Sequence, residues 1–208
     1  IEEITAPLNA QLLSLNGDAT GTFIEAAGSK PTSYPTVERG EDDLAAFLYT
    51  SGTTGRSKGA MLTQRNLLSN ARTLAEVWKF DENDVLLHAL PIFHTHGLFV
   101  ATNVTLVAGG SMIFLPKFDL DQMIEFLPTS TSMMGVPTFY TRLLEDQRFT
   151  KDLTAHMRLF VSGSAPLLAE THIQFEDHTG HRILERYGMT ETNMNTSNPY
   201  DGERRAGT

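Results

Sequence analysis

A glycine- and hydroxyl-rich segment in the first third of the chain has the composition of a phosphate-binding loop. Residues 50–59 read TSGTTGRSKG and directly follow a short apolar run. Glycines let the backbone approach an anion closely, and successive N–H groups can form a concave anion-binding nest. Lys58 adds a compact positive charge suited to phosphate, and hydroxyl donors are added by Thr50, Ser51, Thr53 and Thr54. The segment predicts a phosphate site, and a flexible surface loop is the structural alternative.

The order of residues separates this segment from two familiar nucleotide-binding loops. In a P-loop a glycine precedes the lysine and a serine or threonine follows it, whereas Lys58 lies between Ser57 and Gly59. The G-x-G-x-x-G fingerprint of dinucleotide-binding folds is not matched either. We therefore expect a phosphate loop of another kind.

Two histidines follow a second apolar run, in residues 88–97, HALPIFHTHG. His94 and His96 have the H-x-H spacing found in zinc sites, but the sequence offers no third ligand. A buried histidine that hydrogen-bonds within the fold is the structural alternative, and we interpret His96 in this way.

Two further segments in the last third of the chain combine small residues with polar groups. In residues 161–167, VSGSAPL, the small side chains would let a planar base lie against the backbone. Residues 185–192, ERYGMTET, contain an aromatic ring for stacking, a glycine, a hydroxyl donor and a carboxylate. Carboxylate oxygen is the ligand that Mg²⁺ prefers, so Glu191 is a candidate metal ligand, with a solvated loop acid as the alternative.

Two arginines lie inside these segments, although the formal net charge of the chain is -9. A site that gathers phosphates and a carboxylate needs a fixed cation if the substrate has a second carboxylate, and the planar guanidinium fork suits that role. Arg186 is therefore a candidate for binding a dicarboxylic acid, whereas Arg56 is assigned to phosphate or to exposed charge. A salt bridge from Arg186 to Glu185 or Glu191 is the structural alternative.

The elements that must position these residues alternate from residue 44 onward. Thr63 is expected to cap a helix that begins at Gln64. Further helices are expected at 97–106, 120–127, 137–145 and 169–177, and strands at 44–50, 85–89, 111–115, 132–134, 157–162 and 182–187. This alternation predicts an α/β fold, with a mostly parallel sheet covered by helices on both faces. Sites in such folds form in the loops at the carboxyl ends of the strands.

Composition limits the classes of protein that remain. The chain has 208 residues, 40% of them hydrophobic, which is enough for one large domain. We expect residues 1–43 to be a peripheral segment of that domain and residues 44–208 to be its core. The acidic balance argues against nucleic-acid binding, and no apolar run approaches the roughly 20 residues of a membrane span. The absence of cysteine excludes disulfides and fits a reducing compartment, so a cytoplasmic location is expected, with an organelle matrix as the alternative.

Two of the segments resemble the signature motifs of the AMP-forming acyl-CoA synthetases, a family that includes luciferases and peptide-synthetase adenylation domains. The first is residues 49–59, Y-T-S-G-T-T-G-x-x-K-G, and the second is residues 187–191, Y-G-x-T-E. Residues 89–99 and 184–195 are most similar to the malonyl- and methylmalonyl-CoA synthetases of that family.

The resemblance implies a role for each candidate residue. Nucleotide contacts are implied for Thr50, Ser51, Gly52, Thr53, Thr54, Gly55, Lys58, Ser164, Ala165, Pro166, Tyr187, Gly188, Met189 and Thr190. Acid-binding residues are implied at Ser162, Gly163, Arg186 and His94, with Phe93 and Gly97 in the same pocket. Catalytic roles are implied for Lys58, His94, Thr190 and Glu191, and Glu191 would hold Mg²⁺.

The implied reaction activates a short dicarboxylic acid with ATP to an acyl-adenylate and then transfers the acyl group to coenzyme A. In the family a C-terminal domain with a catalytic lysine follows the second signature, so we expect this chain to be a piece of a longer protein. Another acyl- or aryl-CoA ligase, a carrier-protein adenylation domain, and a nucleotide-binding subdomain without turnover remain alternatives.

Overall fold

The computed structural model describes residues 2–50 and 57–206, which divide into two compact units, Ile1–Glu38 and Arg39–Thr208. The first unit contains helix α1 (Glu2–Thr5), a 3₁₀ turn (Ala6–Leu8) and helix α2 (Thr22–Gly28). None of the side chains described in this unit is buried. The lack of burial also explains why the sequence of this unit predicts its helices only weakly. A segment without a buried face shows no apolar periodicity.

The second unit begins with a β-hairpin that leads directly into a helix. Strand β1 (Leu44–Thr50) pairs antiparallel with strand β2 (Lys58–Thr63), and helix α3 (Gln64–Val77) follows. The hydroxyl of Thr63 accepts the Asn66 N–H at 3.2 Å, and the Asn66 side chain accepts the Thr63 N–H at 3.0 Å. This reciprocal capping box confirms the predicted start of the helix.

A six-stranded sheet forms the centre of the second unit, in the order β4-β3-β5-β6-β7-β8. The first five strands in this order are parallel and β8 is antiparallel, which confirms the mostly parallel sheet. The strands are β3 (Val85–His88), β4 (Ser111–Phe114), β5 (Ser132–Gly135), β6 (Leu159–Ser162), β7 (Leu184–Met189) and β8 (Asn193–Ser197).

One expectation about the strands was wrong, and strands β2 and β8 were not predicted. Strand β1, which leads into the phosphate-loop segment, lies in the hairpin and not in the parallel sheet. The segment between β1 and β2 therefore connects two antiparallel strands that are not part of the parallel sheet. Strand β8 was missed because its sequence, NMNTS, has almost no apolar residue and its pairing is provided by β7.

Helices cover both faces of the sheet and bury two apolar clusters. One face packs around Trp78, Leu86 and Val161, and the other packs around Leu87 and Phe160. Neighbours such as Leu86 and Leu87 belong to different clusters because side chains alternate along a strand. The remaining helices are a π-helix (His96–Ala101), α4 (Thr102–Ala108), α5 (Leu120–Phe126), a 3₁₀ turn (Leu127–Thr129), α6 (Pro137–Leu144), α7 (Lys151–Thr154) and α8 (Ala169–Thr179). No helix within residues 2–50 and 57–206 has the length and apolar character needed to cross a membrane.

A buried carboxylate ties together the amino ends of three strands. Asp84, just before β3, accepts hydrogen bonds from Arg158 Nε at 2.6 Å and from the Thr131 hydroxyl at 2.7 Å. Arg158 precedes β6 and Thr131 precedes β5. Burial raises the pKa of Asp84, but the hydrogen bonds from Arg158 and Thr131 together lower it by more, so the pKa lies below its ordinary value of 3.8.

We expect Asp84→Asn to destabilise the fold by about 3 kcal/mol, because it breaks one side of a buried ion pair. Since the pKa of Asp84 is lowered by folding, its contribution is complete above the unfolded pKa and is lost as the pH falls through the folded pKa. Urea unfolding between pH 3 and pH 7 should therefore show a smaller acid-side loss of stability in Asp84→Asn than in the wild type. An unchanged pH profile would contradict this role.

Candidate active site

Arg186 is a buried cation near the carboxyl edge of the sheet. It lies in β7, is only 7% exposed, and packs against the backbone of Gly163 just after β6, where an added Cβ would overlap the guanidinium. Its Nε and Nη2 atoms are buried without a hydrogen-bond partner in the described parts of the chain. Burial lowers its pKa to about 10, and Tyr140 opposes that shift. The guanidinium remains charged at neutral pH and is available to an anion.

The salt-bridge alternative for Arg186 is not realised. Among residues 2–50 and 57–206, no carboxylate forms an ion pair with it. The side chain of Glu185 instead accepts the Leu167 N–H at 3.2 Å and contacts His172 at 3.2 Å. Alternation along β7 places Glu185 and Arg186 on opposite faces of the sheet.

His94 lies just before the π-helix and is exposed. Its Nδ1 accepts the backbone N–H of His96 at 3.1 Å. Burial, followed by the charge of Arg186, lowers the pKa of His94. Because Nδ1 acts as an acceptor, the neutral ring carries its proton on Nε2. Within the part of the chain that is described, no three His, Asp or Glu side chains form a group that could hold a metal ion, so the H-x-H spacing gains no support as a zinc site.

His96 lies deeper than His94 and contacts the next loop. It is 2% exposed, and its Nδ1 is 3.2 Å from the hydroxyl oxygen of Ser164. Burial, followed by the charges of Arg186, His94 and His88, holds the pKa of His96 well below its ordinary value. Its Nε2 is buried and has no partner among the described residues.

A cavity of about 660 Å³ brings together the two segments predicted to bind adenine. The Tyr187 side chain is 59% exposed, so its ring is free to stack on a planar ligand. Alternation along β7 directs Tyr187 away from the face of Arg186, although both residues line the cavity. The lining residues are Ser164, Ala165, Pro166, Leu167, Glu185, Arg186, Tyr187, Gly188, Thr196, Ser197 and Asn198.

Beyond Tyr187, β7 turns sharply into β8. An added Cβ at Gly188 would overlap the carbonyl oxygen of Asn193, so the two strands approach each other as only glycine allows. The turn closes through the hydrogen bond from Thr192 N–H to Met189 O at 3.2 Å and carries Thr190 at its tip. Met189 does not line the Tyr187 cavity, but its sulfur lies 3.7 Å from the Tyr187 hydroxyl.

Glu191 is placed at a different opening from Tyr187. It lines a separate cavity of about 360 Å³ beside α3. The other lining residues are Leu62, Asn66, Ser69, Asn70, Thr73, Thr192 and Asn193. The single carboxylate at this opening therefore lies next to the strand that follows the phosphate-loop segment.

The predicted phosphate loop is described only at its two ends. Thr50 and Lys58 are paired across the β1–β2 hairpin, and Lys58 is exposed. Lys58 begins the strand that leads to Leu62, at the edge of the Glu191 cavity. The loop residues Ser51, Gly52, Thr53, Thr54, Gly55 and Arg56 lie outside the described residues.

The predicted acid-binding residues are only partly brought together. Gly163 contacts Arg186, and the charge of Arg186 acts on His94. The hydroxyl of Ser162 is buried without a partner in the described segments, but its strand register with Glu185 places it on the sheet face opposite Arg186. Phe93 is 85% exposed.

Sequence reasoning missed residues that hold the site in place. Asn70 on α3 donates to Met194 O at 3.0 Å and accepts Met194 N–H at 3.3 Å, which fixes β8. His88 Nε2 lies 3.0 Å from Gly97 O, and the Thr102 hydroxyl donates to the same carbonyl at 2.9 Å. A π-helix does not follow the regular α-helical hydrogen-bond pattern. The residues that signal it in the sequence are the histidine at the end of β3 and the threonine that follows the π-helix.

The chain belongs to the AMP-binding enzyme family, because the family model matches residues 5–208. This confirms the resemblance of the two signature segments. The match also covers the α/β unit together with the β1–β2 hairpin.

Several relatives of the chain are malonate–CoA ligases. The chain is 41% identical to the mitochondrial malonate–CoA ligase of Mus musculus, covering 86% of this chain and 34% of the relative. It is 42% identical to the malonate–CoA ligase of Arabidopsis thaliana, covering 80% and 31%. The crystal structure of ATP-bound MatB from Rhodopseudomonas palustris matches with a TM-score of 0.92 and 61% identity, covering 99% of this chain and 41% of that one. The chain thus spans about a third of the length of the curated relatives it matches.

Proposed function

We propose that the protein containing this chain is an AMP-forming acid–CoA ligase that activates malonate or methylmalonate. The acid and ATP would form an acyl-adenylate and pyrophosphate, and coenzyme A would then displace AMP to form the thioester. The observation that carries the proposal is the buried guanidinium of Arg186, which lacks a carboxylate partner in the described residues. A monocarboxylic acid would leave this charge uncompensated, whereas the second carboxylate of malonate would pair with it.

The two ends of the acid would be held by different residues. Arg186 would bind the second carboxylate through its planar fork. His94 would donate from Nε2 to the reacting carboxylate or to the acyl-adenylate, since its Nδ1 is occupied by a backbone N–H. Catalysis of adenylation would come mainly from positioning the carboxylate and from stabilising phosphate charge.

The nucleotide would occupy the cavity beside Tyr187. The cavity is lined by the exposed Tyr187 ring, by Gly188, and by the turn of Ser164, Ala165 and Pro166. An aromatic ring and small residues of this kind suit a planar adenine base. Thr190 and the phosphate loop with Lys58 would contact the phosphates. Lys58 is exposed at the end of the loop, so its ammonium group can reach an anion held there.

The donor set around Glu191 fits a magnesium ion that arrives with ATP. Glu191 supplies one exposed carboxylate, with no group of three ligands among the described residues. Mg²⁺ is commonly bound by one or two carboxylates together with substrate phosphates, not by a full protein cage. When bound, the ion would neutralise phosphate charge. The same proposal includes coenzyme A as the acyl acceptor and a C-terminal domain that carries the catalytic lysine. It also includes location in a reducing compartment, either the cytosol or an organelle matrix.

A pyrophosphate-release assay on the full-length protein tests this function. With Mg-ATP, we expect malonate and methylmalonate to support faster release than acetate or butyrate. Lys58→Ala should lower the rate with malonate by roughly 10²-fold, the cost of removing one preorganised donor to a developing charge. Faster release with butyrate than with any dicarboxylic acid would contradict the substrate assignment. Full activity of Lys58→Ala would contradict the role of Lys58. A nucleotide-binding protein without turnover would release no pyrophosphate with any acid.

A further inference from the structure

The inference concerns His96 and rests on the proposed function. Arg186 provides the positive charge for a second carboxylate, but a carboxylate has two oxygens with several lone pairs to satisfy. A well-bound carboxylate in a buried site therefore uses more than one donor group. His96 supplies the second candidate group.

His96 and Arg186 are linked by two consecutive residues. The guanidinium of Arg186 packs on Gly163, and the next residue, Ser164, lies 3.2 Å from Nδ1 of His96. Both side chains are almost fully buried. Each presents buried nitrogen atoms without a partner in the described parts of the chain, namely Nε and Nη2 of Arg186 and Nε2 of His96.

Buried nitrogens without a hydrogen-bond partner indicate a bound acceptor. A buried polar group without a hydrogen bond is costly, and folded proteins rarely leave several of them together. Burial, followed by the positive charge of Arg186, holds the pKa of His96 well below its ordinary value, so His96 can add a donor without adding a second charge. An oxygen-rich anion would satisfy the nitrogens of both residues.

The hydroxyl of Ser164 lies where it can fix the tautomer of His96. Its backbone has a φ of 70°, a left-handed conformation that non-glycine residues adopt at a cost of roughly 1 kcal/mol or more. The position of its hydroxyl beside Nδ1 is thus maintained against local strain. When the hydroxyl donates to Nδ1, the ring proton resides on Nε2, and an anion near Nε2 favours this arrangement.

We propose that Nε2 of His96 donates a hydrogen bond to the second carboxylate that Arg186 binds, with Ser164 holding the donating tautomer. His96 is then a specificity-determining residue for dicarboxylic acids. Because Ser164 also lines the Tyr187 cavity, the contact joins recognition of the acid to the nucleotide site.

The test uses the full-length protein and pyrophosphate release with malonate and with butyrate, at varied ATP. His96→Leu should lower kcat/KM for malonate roughly tenfold to a hundredfold, the loss of one hydrogen bond to a charged group. It should leave the KM for ATP and kcat/KM for butyrate unchanged. His96→Gln, whose amide N–H₂ can approach the position of Nε2, should restore most of the malonate activity. Ser164→Gly keeps the backbone conformation but removes the hydroxyl, and it should give an intermediate loss.

His156→Gln is the matched control, because its ring contacts Leu127 O at 2.9 Å and His156 lines neither the Tyr187 cavity nor the Glu191 cavity. It should leave both substrates unaffected. Equal loss of malonate and butyrate in His96→Leu, or no recovery in His96→Gln, would overturn the proposal and make His96 a packing residue. If His96→Leu does not fold, as measured by its thermal unfolding, the malonate activities of His96→Gln and Ser164→Gly are compared instead. The proposal expects His96→Gln to keep most of the malonate activity and Ser164→Gly to lose part of it. Pyrophosphate release by the wild-type protein tests the proposed function separately. If the wild type uses no dicarboxylic acid, that function fails and this inference with it.

Discussion

Arg186→Leu is expected to lower kcat/KM for malonate by roughly two to four orders of magnitude. If Arg186 binds the second carboxylate, its removal leaves that carboxylate desolvated and unpaired, at a cost of about 3–5 kcal/mol. The KM for ATP should change little, since Tyr187 and the Ser164 turn are retained. Arg186→Leu is also expected to admit butyrate, because the pocket wall becomes apolar.

Two further variants sharpen this test. Arg186→Lys should also be impaired, because a point charge does not reproduce the guanidinium fork. Gly163→Ala should mimic part of the loss, since its Cβ would displace the guanidinium. The measurement is pyrophosphate release with malonate and butyrate in each variant. Equal loss of both acids in Arg186→Leu would show that the arginine is structural and would leave the dicarboxylate assignment without its main support.

Gly188→Ala is expected to abolish nucleotide-dependent activity with every acid. Its Cβ would overlap the carbonyl oxygen of Asn193 on the neighbouring strand, and β8 cannot easily move away because Asn70 binds both backbone groups of Met194. Overpacking of this kind typically costs about 1–3 kcal/mol. The strand that carries Tyr187 and the turn that carries Glu191 would both be displaced.

The measurement for Gly188→Ala is the affinity for ATP, together with the temperature of thermal unfolding. Gly40→Ala is the matched control, because a Cβ there would meet only an Asp43 side chain at 3.8 Å. We expect that variant to bind ATP and unfold as the wild type does. Wild-type ATP affinity in Gly188→Ala would show that the β7–β8 approach is not needed for the nucleotide site.

Much of the fold was predictable because its signals are local. The cap at Thr63, the helix that it begins and the parallel strands depend on residues close in sequence, and the structure has them within a few residues of the expected positions. The hairpin partner of β1 was not predictable. Strand β2 packs against β1 with Gly59 directly beside the ring of Phe47, and this contact between two strands is not visible in the sequence. Strand β8 was not predictable either, because a polar strand with few apolar residues is defined by its neighbour.

The candidate site shows the same division. The sequence by itself determined which residue types stand at the strand ends: a cation at 186, a ring at 187, a carboxylate at 191 and small residues at 163–166. It also indicated phosphate chemistry, since glycines, hydroxyls and a lysine in one short segment carry that information without any partner.

Only the tertiary structure decided which groups share an environment. The register of β6 against β7 places Gly163 beneath Arg186, and the following turn brings Ser164 to His96 across a separation of 68 residues. Burial and the loss of hydrogen-bond partners arise from such long-range packing, so no local pattern could show that Arg186 and His96 have buried nitrogens without a partner among the described residues.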